Sequence, residues 1–182
     1  IAVGGTEPKI SLIQAGNGQL LSSLQLSETR TAGLQIKCVA FSNNSRYLAT
    51  SMSPAVQLWD LKKRQLKSVF NGHTQAVTSV CFLSDGSIVA GDMSGSVQIW
   101  NPKGSTEKAV SELLVKSTGS DFYDQEGQDV SCLQVSTLNS AVLGSGYGNG
   151  TLCIWDVSSS WMLRKQQSHS GRLTALAFSP KN

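Results

Sequence analysis

The sequence lacks long apolar runs, a leader segment and an excess of charge. No stretch approaches the roughly 18 apolar residues that a membrane-spanning helix needs, and residues 1–5 lack the basic region of a signal peptide. We therefore expect a cytoplasmic, membrane-free protein, with a nuclear or nucleolar location left open. Only 15% of the 182 residues are charged and the net charge is +3, too mild to predict a nucleic-acid partner.

Cysteines and histidines are too few and too scattered for a predicted metal site. Cys38, Cys81, Cys132 and Cys153 are widely separated, with no C-x-x-C pair and no flanking histidine. In the repeat described below, Ser and Ala stand in the column of Cys38 and Cys132. We therefore predict small buried thiols in a reducing compartment, with no metal and no cofactor.

Nothing in the sequence predicts an enzyme or a small-molecule substrate. Residues 144–150 are rich in glycine like a phosphate-binding loop, but no helical pattern follows and no Lys stands where such a loop needs one. We interpret them as a hairpin turn. Asp60, Asp85 and Asp156 stand at turns or strand ends rather than in a catalytic pair, so no catalytic residue is predicted.

What the sequence does contain is an internal repeat. Residues 56–60, 97–101 and 152–156 read Val-Gln-Leu-Trp-Asp, Val-Gln-Ile-Trp-Asn and Leu-Cys-Ile-Trp-Asp, and a degenerate copy occupies 10–13. The tryptophans are separated by 41 and then 55 residues. The repeat therefore has about 40 residues, with an insertion in its later copy.

Each repeat is predicted to contain four short antiparallel strands, a to d. Four further segments alternate small or polar with large apolar residues, the period of a strand, and Ser, Asn, Asp and Gly clusters mark the turns between strands. These four segments are residues 36–41, 77–82, 130–135 and 173–178. No stretch has sustained helical periodicity. Such strand spacing is typical of a propeller blade.

The ends of these repeats resemble the Gly-His and Trp-Asp signatures of WD40 repeats. Gly72-His73 precedes Trp100 by 27 residues, and Asp60 and Asp156 each precede a histidine by 13 residues. The resemblance implies a structural role for the matching residues, which are Trp59, Asp60, His73, Trp100, Trp155, Asp156 and His169.

In WD40 repeats the His and Trp commonly join a buried hydrogen-bond network with a Ser or Thr and a turn Asp. Here Ser94 and Asn149 fall where the turn Asp would be, and residues 127–128 read Gly-Gln instead of Gly-His. We therefore expect some blades to depend more on apolar packing than on buried polar pairing.

The resulting prediction is an all-β fold, a WD40-type β-propeller fragment of about four blades' worth of four-stranded antiparallel sheets within a ring of about seven. The predicted parts are strands b–d of a degenerate blade at 1–30, complete blades at 36–70, 77–115 and 130–167, and the first strand of another blade at 173–182. Both ends fall within strand-like patterns and no initiator Met is present, which indicates a fragment.

Loops on the two propeller faces are the candidate partner-binding sites. On the face of the d–a and b–c loops, the insertion at about 116–129 surrounds Phe122 and Tyr123 with acidic residues, among them Asp121 and Asp124. These aromatics are either a partner anchor or rings folded back onto the blade.

The opposite face, formed by a–b and c–d loops, has a modest basic cluster of Lys62, Lys63, Arg64 and Arg46. Such a cluster is either a solvated turn or a contact for an acidic tail. Trp161 stands outside the shared strand pattern, so it is either an exposed contact residue or a local staple.

Residues 36–101 and 143–182 also resemble the amino-terminal propeller of centrosomal WD-repeat proteins that recruit the γ-tubulin ring complex. The matching stretches include Val-Gln-Leu-Trp-Asp-Leu-Lys at 56–62 and Gly-Asn-Gly-Thr-Leu-Cys-Ile-Trp-Asp-Val at 148–157. The insertion at 116–129 departs from that pattern. The resemblance implies a scaffold that addresses a microtubule-nucleation factor to the centrosome or spindle, with the γ-tubulin contact in a separate helical region. The alternative is a WD40 adaptor of a ubiquitin ligase or a ribosome-assembly complex.

Overall fold

A computed structural model describes residues 1–7, 9–25, 35–103, 111–113 and 129–180. These residues form 15 strands in four antiparallel sheets, called blades 1 to 4 in chain order. Blade 1 contains β1 (Ala2–Val3), β2 (Lys9–Ile13) and β3 (Leu20–Gln25); blade 2 contains β4 (Val39–Phe41), β5 (Tyr47–Met52), β6 (Ala55–Asp60) and β7 (Gln65–Phe70). Blade 3 contains β8 (Val77–Phe82), β9 (Ile88–Asp92), β10 (Val97–Trp100) and β11 (Ser111–Leu113); blade 4 contains β12 (Val130–Val135), β13 (Val142–Tyr147), β14 (Thr151–Asp156) and β15 (Trp161–Gln167).

Within every blade each strand pairs with the next in the chain, so the blades are up-and-down meanders. Short turns make this possible because antiparallel neighbours need only a hairpin. The glycine-rich segment 144–150 is such a hairpin, joining β13 to β14 with Gly150 at a φ of 87°. Among the described residues no helix is long and apolar enough to cross a membrane.

Apolar clusters join the neighbouring blades. Ile10 and Leu24 of blade 1 pack with Leu48 and Trp59 of blade 2. The same layering recurs between blades 2 and 3 and between blades 3 and 4, with Trp100 and Trp155 fully buried. Each blade therefore buries its apolar faces against its neighbours rather than within its own sheet.

The strands at one end of blades 3 and 4 approach very closely. A Cβ on Gly91 of β9 would lie 2.3 Å from Cγ1 of Val130, the first residue of β12. The hydroxyl of Thr78 donates to the Val130 carbonyl oxygen across the same junction. Only glycine allows this spacing, because any side chain at position 91 would overlap Val130.

The buried tryptophans make a different polar contact in each blade. Trp59 Nε1 donates to Thr50 Oγ1 at 3.3 Å, and Trp155 Nε1 donates to Ser145 Oγ at 2.7 Å. Strand register places Ala90 at the equivalent position of blade 3, where Trp100 Nε1 is buried without a hydrogen-bond partner.

The acid that pairs with His73 is Asp92, not a residue at position 94. His73 Nδ1 lies 2.7 Å from Asp92 Oδ2, and Ser94 donates to Asp92 Oδ1 through its backbone and its hydroxyl. Comparison of the repeats by their turns placed the expected acid at Ser94. The acid that binds His73 is instead the last residue of β9, two positions earlier.

No strand is assigned to residues 173–180, the described part of the segment predicted as the first strand of another blade, and that strand stays a prediction. A first strand pairs with the second strand of its own blade, as β8 does with β9, and no second strand follows here among the described residues. Leu173 is nevertheless buried, its amide donates to the Tyr147 carbonyl, and Phe178 lies against Gly144.

Candidate partner-binding surface

The c–d turns are held by the residue that follows each tryptophan. Asp60 Oδ1 accepts the backbone amides of Lys62 and Lys63, each at 3.0 Å, and Asp156 Oδ1 accepts that of Ser158 at 2.9 Å. In blade 3 Asn101 does the same, since its Oδ1 accepts the amide of residue 103 at 2.9 Å. The Trp-Asp ending therefore fixes the turns that build one face of the propeller.

Ionisation of Asp60 is favoured by this arrangement. The backbone hydrogen bond from Lys63 and the Arg46 guanidinium, whose Nη2 lies 3.4 Å from Asp60 Oδ2, hold the pKa of Asp60 below its ordinary 3.8. The side chain of Arg46 is half exposed, so the ion pair itself contributes little to stability.

The basic residues of the predicted cluster are exposed on blade 2. Lys62, Lys63 and Arg64 are exposed in the c–d turn, with Arg64 at a φ of 54°. Arg46 is exposed in the a–b turn and joins the cluster through Asp60. Both turns lie on one face, because a–b and c–d connections share the same end of the strands.

A groove of about 400 Å³ opens beside this cluster, between blades 2 and 3. It is lined by both a–b turns and by the c–d turn of blade 3, at 42–44, 84–86 and 101–103, together with Tyr47, Lys67 and Phe82. The Tyr47 ring lies 5.2 Å from the Arg46 guanidinium carbon and 4.9 Å from Lys67 Nζ. The ring thus holds two cations at the mouth of the groove.

Sequence reasoning did not identify Tyr47, Lys103 or Asn101 as site residues. Each belongs to a repeat position read as structural: the start of strand b, the c–d turn, and the residue after Trp100. A comparison of equivalent turns in adjacent repeats would have placed Tyr47, Asn101 and Lys103 beside the basic cluster of blade 2.

The candidates of the opposite face lie outside the described residues; they are the acidic Asp121 and Asp124 and the aromatic Phe122 and Tyr123. Asp129, at the end of the predicted insertion, is described. Its Oδ2 accepts from Nη1 and Nη2 of Arg172 at 2.6 and 2.5 Å, and its carbonyl accepts from Gly148. This contact joins the entry of blade 4 to the segment that follows it.

Two further predicted residues are exposed. Trp161 is 70% exposed at the start of β15, opposite Asp156. His169, which the repeat equates with His73, is also exposed. In blade 3 the partners of His73 come from strands that follow it in the chain, and no strand follows His169 among the described residues. Its role in blade packing stays a prediction.

No metal-binding constellation is found in the described part of the chain, where no three or more His, Cys, Asp and Glu side chains converge. The four cysteines are free thiols. Burial raises the pKa of Cys153 to about 11.

The family model of the WD domain, G-beta repeat, matches residues 18–60 and 64–101. In fold, the chain is similar to a chain in the crystal structure of a mitotic checkpoint complex, with a TM-score of 0.81 and 18% identity over 100% of this chain and 50% of that one. The predicted WD40 repeats are confirmed at residues 18–60 and 64–101, and the fold is that of a β-propeller fragment.

Among curated proteins the chain is similar to human Protein NEDD1, with 26% identity over 87% of this chain and 22% of NEDD1. It is also similar to the guanine nucleotide-binding protein subunit beta of Zea mays, with 27% identity over 82% of this chain and 39% of that protein. The chain thus spans between a fifth and two fifths of the length of these relatives. The resemblance to the NEDD1 type of propeller, drawn from the sequence, is supported.

Proposed function

We propose that the chain is the propeller part of a protein-interaction scaffold that addresses a microtubule-nucleation factor to the centrosome or spindle. The single observation that carries this proposal is the similarity to NEDD1, which extends over 87% of the chain and is not confined to the Trp-Asp signatures. Rigid blades that present loops on two faces suit a scaffold, because the strands fix the positions of the loops.

The described chemistry is consistent with binding rather than catalysis. The two deeply buried ionisable side chains of blade 3, His73 and Asp92, are each 1% exposed and face one another inside the blade. The exposed charges of blade 2 lie instead in its a–b turn at 46, in its c–d turn at 62–64 and on β7 at 67. Charged turns on a rigid support favour recognition of an oppositely charged partner.

The test uses the full-length protein tagged in dividing cells, with a matched version that lacks residues 1–182. We expect the full-length protein to concentrate at centrosomes or spindle poles and the deleted version to lose that location. Affinity purification with mass spectrometry accompanies the imaging. Recovery of γ-tubulin complex subunits with the full-length protein supports the proposal.

Reproducible absence of those subunits, or unchanged localisation of the deleted version, would overturn the centrosomal function. Recovery of ubiquitin-ligase or ribosome-assembly subunits in their place would assign the scaffold to another complex. In either case the deletion shows whether partner recovery depends on the propeller segment.

A further inference from the structure

We infer that the groove between blades 2 and 3 is a binding site for an acidic peptide segment of a partner protein. The inference rests on the proposed scaffold function and adds the chemistry of the partner. It concerns the face of the a–b and c–d turns, where the basic cluster lies beside the groove of about 400 Å³.

The positive charge of the described residues is concentrated at this place. Of the 11 Lys and Arg and the six Asp and Glu whose side chains the structure describes, six cations but only two acids lie on or beside the groove, which leaves five cations and four acids elsewhere. The six are Arg46, Lys62, Lys63, Arg64, Lys67 and Lys103. A local excess of one sign steers an oppositely charged partner and sets which partners bind.

The two acids beside the groove are already engaged. Both carboxylate oxygens of Asp85 accept from Ser87, Oδ1 from its amide at 2.8 Å and Oδ2 from its hydroxyl at 3.0 Å. Asp60 accepts hydrogen bonds from the Lys62 amide in the c–d turn of blade 2 and from the Arg46 guanidinium. Among the described residues, neither acid forms an ion pair with Lys67 or Lys103, which are exposed and line the groove.

The remaining polar groups are mainly donors. Asn44 Oδ1 accepts from Ser42 and from the Arg46 amide, and Asn101 Oδ1 accepts from the amide of Lys103. With their oxygens used in turns, the side-chain amide nitrogens of these two asparagines remain to donate. Ammonium and amide donors around a groove suit carboxylates, which only accept hydrogen bonds when ionised.

A peptide fits this site better than a nucleic acid does. The one tyrosine ring lining the groove is half-buried and already has Arg46 and Lys67 within 5.2 and 4.9 Å, so it is a poor platform for a stacked base. Those contacts also restrict two long side chains before binding, which reduces the entropy lost when a carboxylate is bound.

The test measures fluorescence anisotropy of the full-length protein with a fluorescein-labelled Glu-Gly repeat peptide of about 12 residues, about 40 Å when extended. We expect saturable binding that weakens as salt rises. The double charge reversal Lys67→Glu with Lys103→Glu should weaken it about tenfold or more. Tyr47→Leu, which removes the ring that holds two cations, should weaken it about threefold.

The matched control is Lys37→Glu with Lys165→Glu, two exposed lysines outside the groove that give the same change in net charge. This control should stay within about twofold of the wild type. Equal weakening by both double variants would overturn the inference, because only net charge would then matter. A second outcome would also overturn it: the wild type binds a 12-mer oligouridine more tightly than the peptide, and only the groove variant, Lys67→Glu with Lys103→Glu, loses that binding. The groove would then be a nucleic-acid site.

A failed peptide assay is separable from a failed scaffold function. If the wild type recovers its cellular partners but does not bind the peptide, the groove inference falls and the scaffold stands. If the peptide binds and the groove variant loses it, while no partner depends on residues 1–182, the scaffold function falls and the site stands. Thermal unfolding of each variant checks that binding losses do not come from unfolding.

Discussion

His73 Nδ1 lies 2.7 Å from Asp92 Oδ2, with both side chains 1% exposed, and the edge of the His73 ring faces Trp100 at a centroid distance of 5.2 Å. The pair joins the loop before β8 to the end of β9, 19 residues further along the chain. Yet His73 Nε2 and Trp100 Nε1 are both buried without a hydrogen-bond partner. Blade 3 thus contains a partly satisfied network.

Ala90→Ser should stabilise blade 3. In strand register, position 90 of blade 3 is equivalent to Ser145 of blade 4, whose hydroxyl accepts a hydrogen bond from Trp155 Nε1. A serine at position 90 therefore places a hydroxyl within reach of the unpaired nitrogens, Trp100 Nε1 and His73 Nε2. We expect a gain of about 1 kcal/mol in the free energy of unfolding, measured in urea. The control is Ala49→Ser. Ala49 is also buried, but it stands one residue before Thr50, which is the blade 2 residue equivalent to Ala90 in strand register. A loss of stability from both substitutions would contradict the network.

Loss of the buried acid should be costly. Asp92→Ala leaves His73 and the Ser94 and Ser96 amides without their acceptor. We expect the free energy of unfolding to fall by about 3 kcal/mol. Asp85→Ala, at an exposed turn, should cost less than about 1 kcal/mol. Similar losses for the two variants would show that Asp92 is not a main support of the blade.

Stability should fall in acid because of Asp92. Burial alone would raise its pKa, but hydrogen bonds from His73 and Ser94 outweigh burial and hold the pKa below the ordinary 3.8. A carboxyl with a depressed folded pKa stabilises the native state above its unfolded pKa, and this stabilisation disappears as the pH falls through the folded value.

Unfolding midpoints between pH 6 and about pH 2 measure this effect. We expect the wild type to lose stability as the pH falls below 3.8, the ordinary pKa of an Asp carboxyl. Asp92→Asn should lose less stability over the same pH range. Asp60 and Asp156 have lowered pKa values as well, so the variant should keep part of the slope. Identical pH profiles for the two proteins would exclude a contribution from Asp92.

Sequence periodicity identified the blades because a two-residue alternation and the Trp-Asp ends report local strand geometry directly. It missed Asp92 because this acid ends β9, where it pairs with Val77 of β8, and does not belong to the turn that follows. The groove was missed for a different reason. Its walls come from turns of two different repeats, so Tyr47 and Lys103 meet only once blades 2 and 3 are packed together.

Cys153 should react very slowly with alkylating reagents in the native protein. The residue is fully buried, and burial raises its pKa from 9.0 to about 11, which lowers the thiolate fraction at neutral pH about 100-fold. Iodoacetamide labelling followed by peptide mass spectrometry measures this, with protein unfolded in urea as the control. Labelling at equal rates in both states would show that Cys153 is accessible.

Gly91→Ala should weaken the junction between blades 3 and 4. A methyl group at this position would lie 2.3 Å from Val130 Cγ1 and 2.6 Å from Val130 Cβ, well inside van der Waals contact. Because these atoms belong to the first residue of β12, relief requires β9 and β12 to separate, which would also stretch the hydrogen bond from Thr78 to the Val130 carbonyl. We expect a loss of about 1–3 kcal/mol in urea unfolding.

The matched control is Gly5→Ala, where nothing lies within 4 Å of the added methyl group. This substitution should change the free energy of unfolding by less than about 0.5 kcal/mol. A second substitution, Val130→Ala in the Gly91→Ala background, removes the two Cγ atoms and should recover part of the loss, because the two positions then share the space that one valine occupied. If Val130→Ala adds its own full cost instead, the close approach of the two blades is not what limits residue 91 to glycine.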